Sequence, residues 1–343
     1  MYVNDKAAYL SHPIINNGTS FIHFADIASI EAQLQNVETV SIPEVIADNP
    51  QIHGFLHSAT YGDNVAYLFG SLHAMRDNWT PLADIVEDAM RRSDVFAFEV
   101  YLEDLLNPEL LEPILEQVMF LPDGLTLEKF LPADVYENFV YHLPSYGIEY
   151  EDVYNWNPVF LANLIEVELS SLLLEVDMDT SVDEYVWLFA GEQGLPRIGL
   201  ETVVQQIEIV YLPPYEAMQE ALADFISFED LLYYMMEYAE HAGSSLDIAD
   251  LYEANDKAGI IALFRELDEL IHESAIVRHR VEMIMNYRSN YYARRIAGLL
   301  QETAESTTFF VTVGASHIIR TSNYQYNIIN FLEEMGFNVE ALF

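Results

Sequence analysis

Two apolar runs of β character, VAYLFG (residues 65–70) and FFVTVG (309–314), stand near opposite ends of this chain, and each opens the phrase Gly-x-x-His-x-x-Arg. The first phrase contains Gly70, His73 and Arg76, the second Gly314, His317 and Arg320. Glycine permits a tight exit from a strand and a close backbone approach. The histidine after it projects just past the carboxyl end of the strand, where open α/β sheets place ligands. The two phrases together mark one shared site, and that site requires the chain ends to meet.

The rest of the chain is organised around these strands. IHGFLHSATY and VAYLFG flank Gly62-Asp63-Asn64, which predicts a hairpin. A helical pattern from Leu82 to Met90 leads to a short β run, DVFAFEV, so residues 65–100 have the size of a βαβ unit. Residues 102–191 and 201–300 are mostly helical, interrupted by a brief strand in LPRIGLE, and FNVEALF closes the sequence as a last strand after a helix around 326–335. The predicted fold is α/β (α+β), with a central mixed sheet built from both chain ends and a large helical insertion capping the site. A single domain is expected, with a sheet core of about 50–101, 195–202 and 305–343 and a helical cap of about 102–194 and 203–300.

Composition removes several functions. With 14 Lys+Arg against 56 Asp+Glu the formal charge is -42, a field that repels phosphate backbones, so nucleic acid and anionic membrane surfaces are poor partners. Metal ions and cationic ligands are easier to accommodate. The absence of cysteine eliminates disulfides, thiolate zinc sites, iron–sulfur clusters and thiol nucleophiles. No apolar stretch of about 18 residues is present, so no membrane span is expected. The N-terminus lacks a basic segment followed by an apolar one, so no signal peptide is read there. Oligomeric state is not readable from the sequence.

Carboxylates arrive beside the histidines. Glu99 ends the run VFAFE and Glu201 ends RIGLE. A glutamate closing a buried strand needs a metal, an arginine or a histidine, with Arg76 and Arg288 available as ion-pair partners. Two histidines and two glutamates could also ligate Zn, Mn, Co or Fe. His272-Glu273 lacks the second histidine of a zincin helix, and no Walker loop, G-x-G-x-x-G or G-x-S-x-G elbow occurs. The sequons at Asn17 and Asn78 are short enough to arise by chance.

The words YLFGSLH, FAFE, GLPRIGLET, NYRSNYYARRI and FFVTVGASH occur in the order found in the TraB/GumN/PrgY family, which includes the Tiki metalloproteases. LPDGLTLEKFL, NPVFLANL, SVDEYVWLFAGEQGLP and GFNVEAL agree as well, so the resemblance covers roughly residues 50–343. It implies a metal-dependent peptidase acting on peptides or protein segments. A divalent ion (Mn, Co or Zn) would be held by His73 and His317 with Glu201 as third ligand. Glu99 would be the base and Arg288 the oxyanion stabiliser, although one sequence leaves the two glutamate roles interchangeable. Gly70, Gly314, Arg76 and Arg320 would support the centre. The chain has Ser289 and Ser316 where the family usually has Asn and Gly. More distant resemblance to erythromycin esterases and to haem-binding proteins keeps two alternatives open: a metal-free hydrolase with His73 as base oriented by Glu99, and a non-enzymatic binder that sequesters a peptide or cofactor. The family's frequent work at membranes or outside the cytoplasm favours an exported protein.

These readings fix a geometry. Strands ending at Phe69, Phe98, Gly199 and Val313 should share one sheet. His73, Glu99, Glu201 and His317 should converge at its carboxyl edge, Arg288 should reach in from the cap, and the two histidine phrases should be related by an approximate two-fold.

Overall fold

The computed structural model describes residues 51–73, 75–173, 181–228, 248–265, 267–303 and 306–342. The sequon at Asn17 and part of the second helical block lie outside them. Six strands form one mixed sheet: β1 His57–Tyr61, β2 Asn64–Ser71, β3 Val95–Phe98, β4 Arg197–Gly199, β5 Thr308–Gly314 and β6 Asn338–Ala341. Their order is β4-β3-β5-β2-β1-β6. β4, β3, β5 and β2 are parallel, β1 runs against β2, and β6 runs against β1. The strands ending at Phe69, Phe98, Gly199 and Val313 therefore share one sheet and one carboxyl edge.

Local chemistry accounts for each piece. Gly62, at φ 59°, makes the turn of the β1–β2 hairpin, where a left-handed residue is needed. Phe309 to Val313 of β5 are all buried, so both faces of this central strand are covered, as expected of parallel strands. Phe96, Phe69 and Phe310 meet across β3, β5 and β2 with ring centroids 5.5 and 5.6 Å from Phe310, contacts worth about 0.5–1.5 kcal/mol each beyond their area. The principal helices are α1 Asp84–Arg91, α2 Pro108–Met119, α3 Ala133–His142, α4 Pro158–Leu173, α5 Val182–Glu192, α6 Val203–Tyr211, α7 Arg288–Glu302 and α8 Ile328–Glu334. α1 connects β2 to β3, and β5 is inserted between those two strands.

Phe139, Leu143, Val153, Leu161 and Met218, from the helical stretches, belong to a buried cluster separate from that of the sheet. Two helices from the same stretches pack instead with the sheet. Val186, Trp187 and Ala190 of α5 and Tyr292, Ile296 and Leu300 of α7 join the sheet's core cluster. Both helices carry apolar stripes that the sheet buries, so Arg288 reaches the site from a helix packed on the sheet. The expected two-fold is also absent. β2 and β5 are parallel neighbours, pairing Gly70 with Val313 and Ser71 with Gly314, and such strands are related by a sideways step.

Candidate active site

The carboxyl edge of the parallel strands gathers the predicted residues. β3 and β4 keep pairing past their ends, with Leu200 N–H donating to Phe98 O at 2.7 Å and Glu201 N–H to Glu99 O at 2.9 Å. This sets Glu99 and Glu201 side by side. At β2, a Cβ on Gly70 would stand 3.0 Å from both Ala315 Cα and Gly54 O, so glycine lets the β5 exit close onto β2. A Cβ on Gly314 would lie 3.3 Å from Glu99 Oε1, 3.6 Å from His73 Nε2 and 3.9 Å from His317 Cδ2. Both histidines and Glu99 thus converge on the small space beside Gly314.

Arg288 ties the carboxylates together. Its Nη2 donates to Glu99 Oε2 and Glu201 Oε1, both at 2.7 Å, and its Nε donates to Glu201 Oε1 at 3.0 Å. Tyr292, one turn along α7, donates its hydroxyl to Glu201 Oε1 at 2.6 Å. The helix segment before α7, Arg280–Tyr287, is a π-helix, a form frequent at functional sites, and it sets the rotation at which Arg288, Ser289 and Tyr292 enter the cluster. Gly314 N–H donates to Glu99 Oε1 at 2.7 Å, and Gln206 Nε2 donates to Glu99 Oε2 at 3.1 Å. Gln206 is delivered by α6, whose start is fixed by a capping box between Thr202 and Gln205.

The two histidines differ. The His73 side chain is 66% exposed, so a ligand can reach it, and its Nδ1 meets Asp183 Oδ2 at 3.0 Å. His317 is buried, with Nδ1 2.9 Å from Ser289 Oγ and its ring edge-on to Tyr292. Its Nε2 lies 3.8 Å from Glu99 Oε1.

Electrostatics follow from this packing. Burial works against a charged Glu99, but Arg288, His317, His73 and the Gly314 N–H outweigh it and bring the carboxyl down to about 2. Burial pushes Glu201 up, against the pull of Arg288 and Tyr292. Burial also opposes the Arg288 cation, yet Glu99, Tyr292 and Glu201 hold its pKa above the ordinary value. The Asp183 carboxylate raises His73 to about 9, whereas burial lowers His317 to about 4. One imidazole is basic and accessible, the other neutral and enclosed.

Arg76 and Arg320 leave this cluster. Arg76 pairs with Asp250 at 2.5 Å and Glu253 at 2.9 Å beside Trp79, and Arg320 donates to the carbonyls of Ser322 and Asn323. Arg76 thus ties the β2 exit to carboxylates far along the chain, and Arg320 stitches its own loop. The role expected for Arg288 at an oxyanion also meets a difference, since its Nε and Nη2 are directed at carboxylates. Ser289, noted in the sequence as a departure from the family's Asn, meets His317 Nδ1, whereas Asp183, Tyr292 and Gln206 were not singled out. Ser71 was not either, although it directly follows Gly70.

Whether the cluster suits a divalent ion can be judged from its donors. Asp183 and Ser289 each occupy an Nδ1, leaving an Nε2 on both rings, the way metal-ligating histidines are oriented. The 3.8 Å from His317 Nε2 to Glu99 Oε1 is comparable with the roughly 3–4 Å between donors on one ion. The donor chemistry fits, with Glu99 as the carboxylate facing the histidines. Glu201, expected as the third ligand, has Oε1 saturated by Arg288 and Tyr292. Among the described residues no group of three or more His, Cys, Asp or Glu is placed, as it stands, so that it could hold a metal ion. A separate cavity of about 480 Å³, lined by Ile209, Leu212, His279 and Met283 among others, includes none of these site residues. Among the described residues no helix is long and apolar enough to cross a membrane.

The TraB/PrgY/gumN family model matches residues 55–341. This is most of the chain, and the chain belongs to that family. Neither a curated protein nor a solved structure matches it significantly.

Proposed function

For this member of the TraB/PrgY/gumN family we propose metal-assisted hydrolysis, with peptides or protein segments as substrates. The observation that carries the reading is the convergence of His73 Nε2, His317 and Glu99 Oε1 beside Gly314. The choice of peptides rests on the resemblance to the Tiki peptidases. His73, His317 and Glu99 would hold the ion, which when bound supplies Lewis acidity and lowers the pKa of a coordinated water toward neutrality.

The protein's own groups do the rest. His73 stands at the accessible mouth and His317 at the enclosed end, so a substrate approaches from the His73 side. Arg288 keeps Glu99 ionised and, with Tyr292, fixes Glu201 beside it. Its commitment to two carboxylates makes it a neutralising and positioning group.

The test is peptide-library hydrolysis by the full chain after chelation and after adding back Mn, Co or Zn. Activity that chelator abolishes, that the ions restore and that His73→Ala removes supports the reading. Activity indifferent to chelator and to His73→Ala overturns it. A second reading has its own support: the accessible His73 backed by a buried carboxylate is the base-and-orienter half of a metal-free hydrolase, with Asp183 where Glu99 was expected. Chelator-insensitive hydrolysis lost in His73→Ala would select it.

A further inference from the structure

Asp183 is a buried carboxylate at this edge whose two oxygens are divided between two partners. Oδ1 accepts from Ser71 Oγ at 2.7 Å and Oδ2 faces His73 Nδ1 at 3.0 Å. Its placement is built rather than incidental. Ser181 caps α5 by accepting from Glu184 N–H at 3.1 Å, which puts Asp183 in the first turn, where the helix dipole favours an anion. Val182 N–H donates to Leu72 O at 3.2 Å and pins that helix start to the β2 exit. An ionised carboxylate only accepts, so the proton in this contact sits on Nδ1. The ring of His73 is otherwise largely solvent-exposed and would sample several rotamers.

We propose that Asp183 is a positioning residue of the candidate site: it holds His73 in the Nδ1–H form and one rotamer, so that Nε2 faces Glu99 and His317 beside Gly314. The inference rests on the reading of His73 as a functional histidine and adds the residue that makes it one. Ser71 extends the chain one step further by fixing the rotation of the carboxylate. Two hydrogen bonds then run from the last residue of β2, through the first turn of α5, to the imidazole.

The test uses the full chain with Zn²⁺ alone as probe. Affinity is measured by titration calorimetry for the wild type, Asp183→Asn, Ser71→Ala and His73→Ala, and ¹⁵N-histidine spectra are recorded on the same samples. His73 signals are assigned by their loss in His73→Ala. The expected result is a wild-type ring protonated on Nδ1 with zinc on Nε2, and an affinity lower by about 10–100-fold in Asp183→Asn. Ser71→Ala keeps the carboxylate and should lose less. Affinity in Asp183→Asn within about twofold of wild type, against that 10–100-fold expectation, overturns the proposal. So does a wild-type His73 protonated only on Nε2. If the wild type binds no zinc, the metal reading fails on its own, and the spectra at alkaline pH still decide: Nδ1–H present in the wild type and lost in Asp183→Asn upholds the positioning role, and identical spectra overturn it. Should Asp183→Asn not fold, Asp183→Glu, which displaces the charge by one methylene, replaces it with the same expected loss.

Discussion

Replacing Arg288 by methionine isolates the electrostatic core of the site, because the change keeps much of the side-chain length and removes the charge. In the wild type Glu99 titrates at about 2 rather than 4.5. That shift corresponds to about 3 kcal/mol of stability at neutral pH, and burial opposes it, so Arg288 and its companions contribute more than the net value. Removing one partner of a buried ion pair costs about 3–5 kcal/mol by the general rule, which agrees. The pH dependence has a definite sign. The wild-type contribution is complete above 4.5 and is lost as pH falls toward 2. In Arg288→Met, Glu99 and Glu201 lose their shared cation: the folded-state pKa of Glu99 rises above its unfolded value, and that of Glu201, already raised by burial, rises further. The variant is therefore penalised at neutral pH and relieved as the pH falls and the carboxyls take up protons. Urea unfolding followed by tryptophan fluorescence should show a gap of about 3–5 kcal/mol at pH 7.5 that narrows on the way to about pH 4.5. A gap under about 1 kcal/mol, the worth of an exposed pair, or one independent of pH, would refute the reasoning.

Other perturbations have equally definite outcomes. His317, lowered by burial from 6.5 to about 4, should cost the wild type about 3 kcal/mol as pH falls across that window, because the unfolded chain binds the proton first; melting temperatures of His317→Gln should lack this segment of acid sensitivity. Gly314→Ala places a methyl group 3.3 Å from Glu99 Oε1 and 3.6 Å from His73 Nε2. Zinc binding and turnover should fall at least about tenfold while stability changes by less than about 2 kcal/mol, and wild-type zinc binding would show that this space is not the site. Tyr292→Phe keeps the ring against His317 and removes the hydroxyl shared by Glu201 and Arg288, for a loss of about 1–3 kcal/mol by calorimetry. An unchanged melting temperature would mean that the hydroxyl is not part of the network.

The sequence discloses those parts of the fold whose signals are local. The strands around VAYLFG, VFAF and FFVTV follow from continuous apolar runs, the hairpin from Gly62-Asp63-Asn64, and the common sheet edge from glutamates and histidines that close such runs. Side-chain direction after a strand end is not local. The repeated phrase suggested equal roles for Arg76 and Arg320, yet each meets whatever its own loop packs against. Asp183 sat in a segment legible only as helix, since its importance depends on α5 starting against the β2 exit. Ser181 and Asp183 together, a cap followed by an acid, were the available signal. Tyr292 was likewise hidden, because the π-helix before it leaves no mark in apolar periodicity.

The adjacency of β2 and β5 also has a consequence in time. Asn64 and Thr307, which are hydrogen-bonded where these strands begin, are 243 positions apart in the chain. A ribosome adding about 5–20 residues per second needs roughly 12–50 s to travel that distance. For most of this interval His73 and Glu99 have been made, but Gly314 and His317 do not yet exist. β3 and β2 wait with the slot between them vacant, since β5 is the strand that separates them in the sheet. The late-made β5 is thus the keystone of the parallel strands made long before it. Whatever chemistry this cluster performs is withheld from the nascent polypeptide and from its neighbours on the polysome until that strand slides into place.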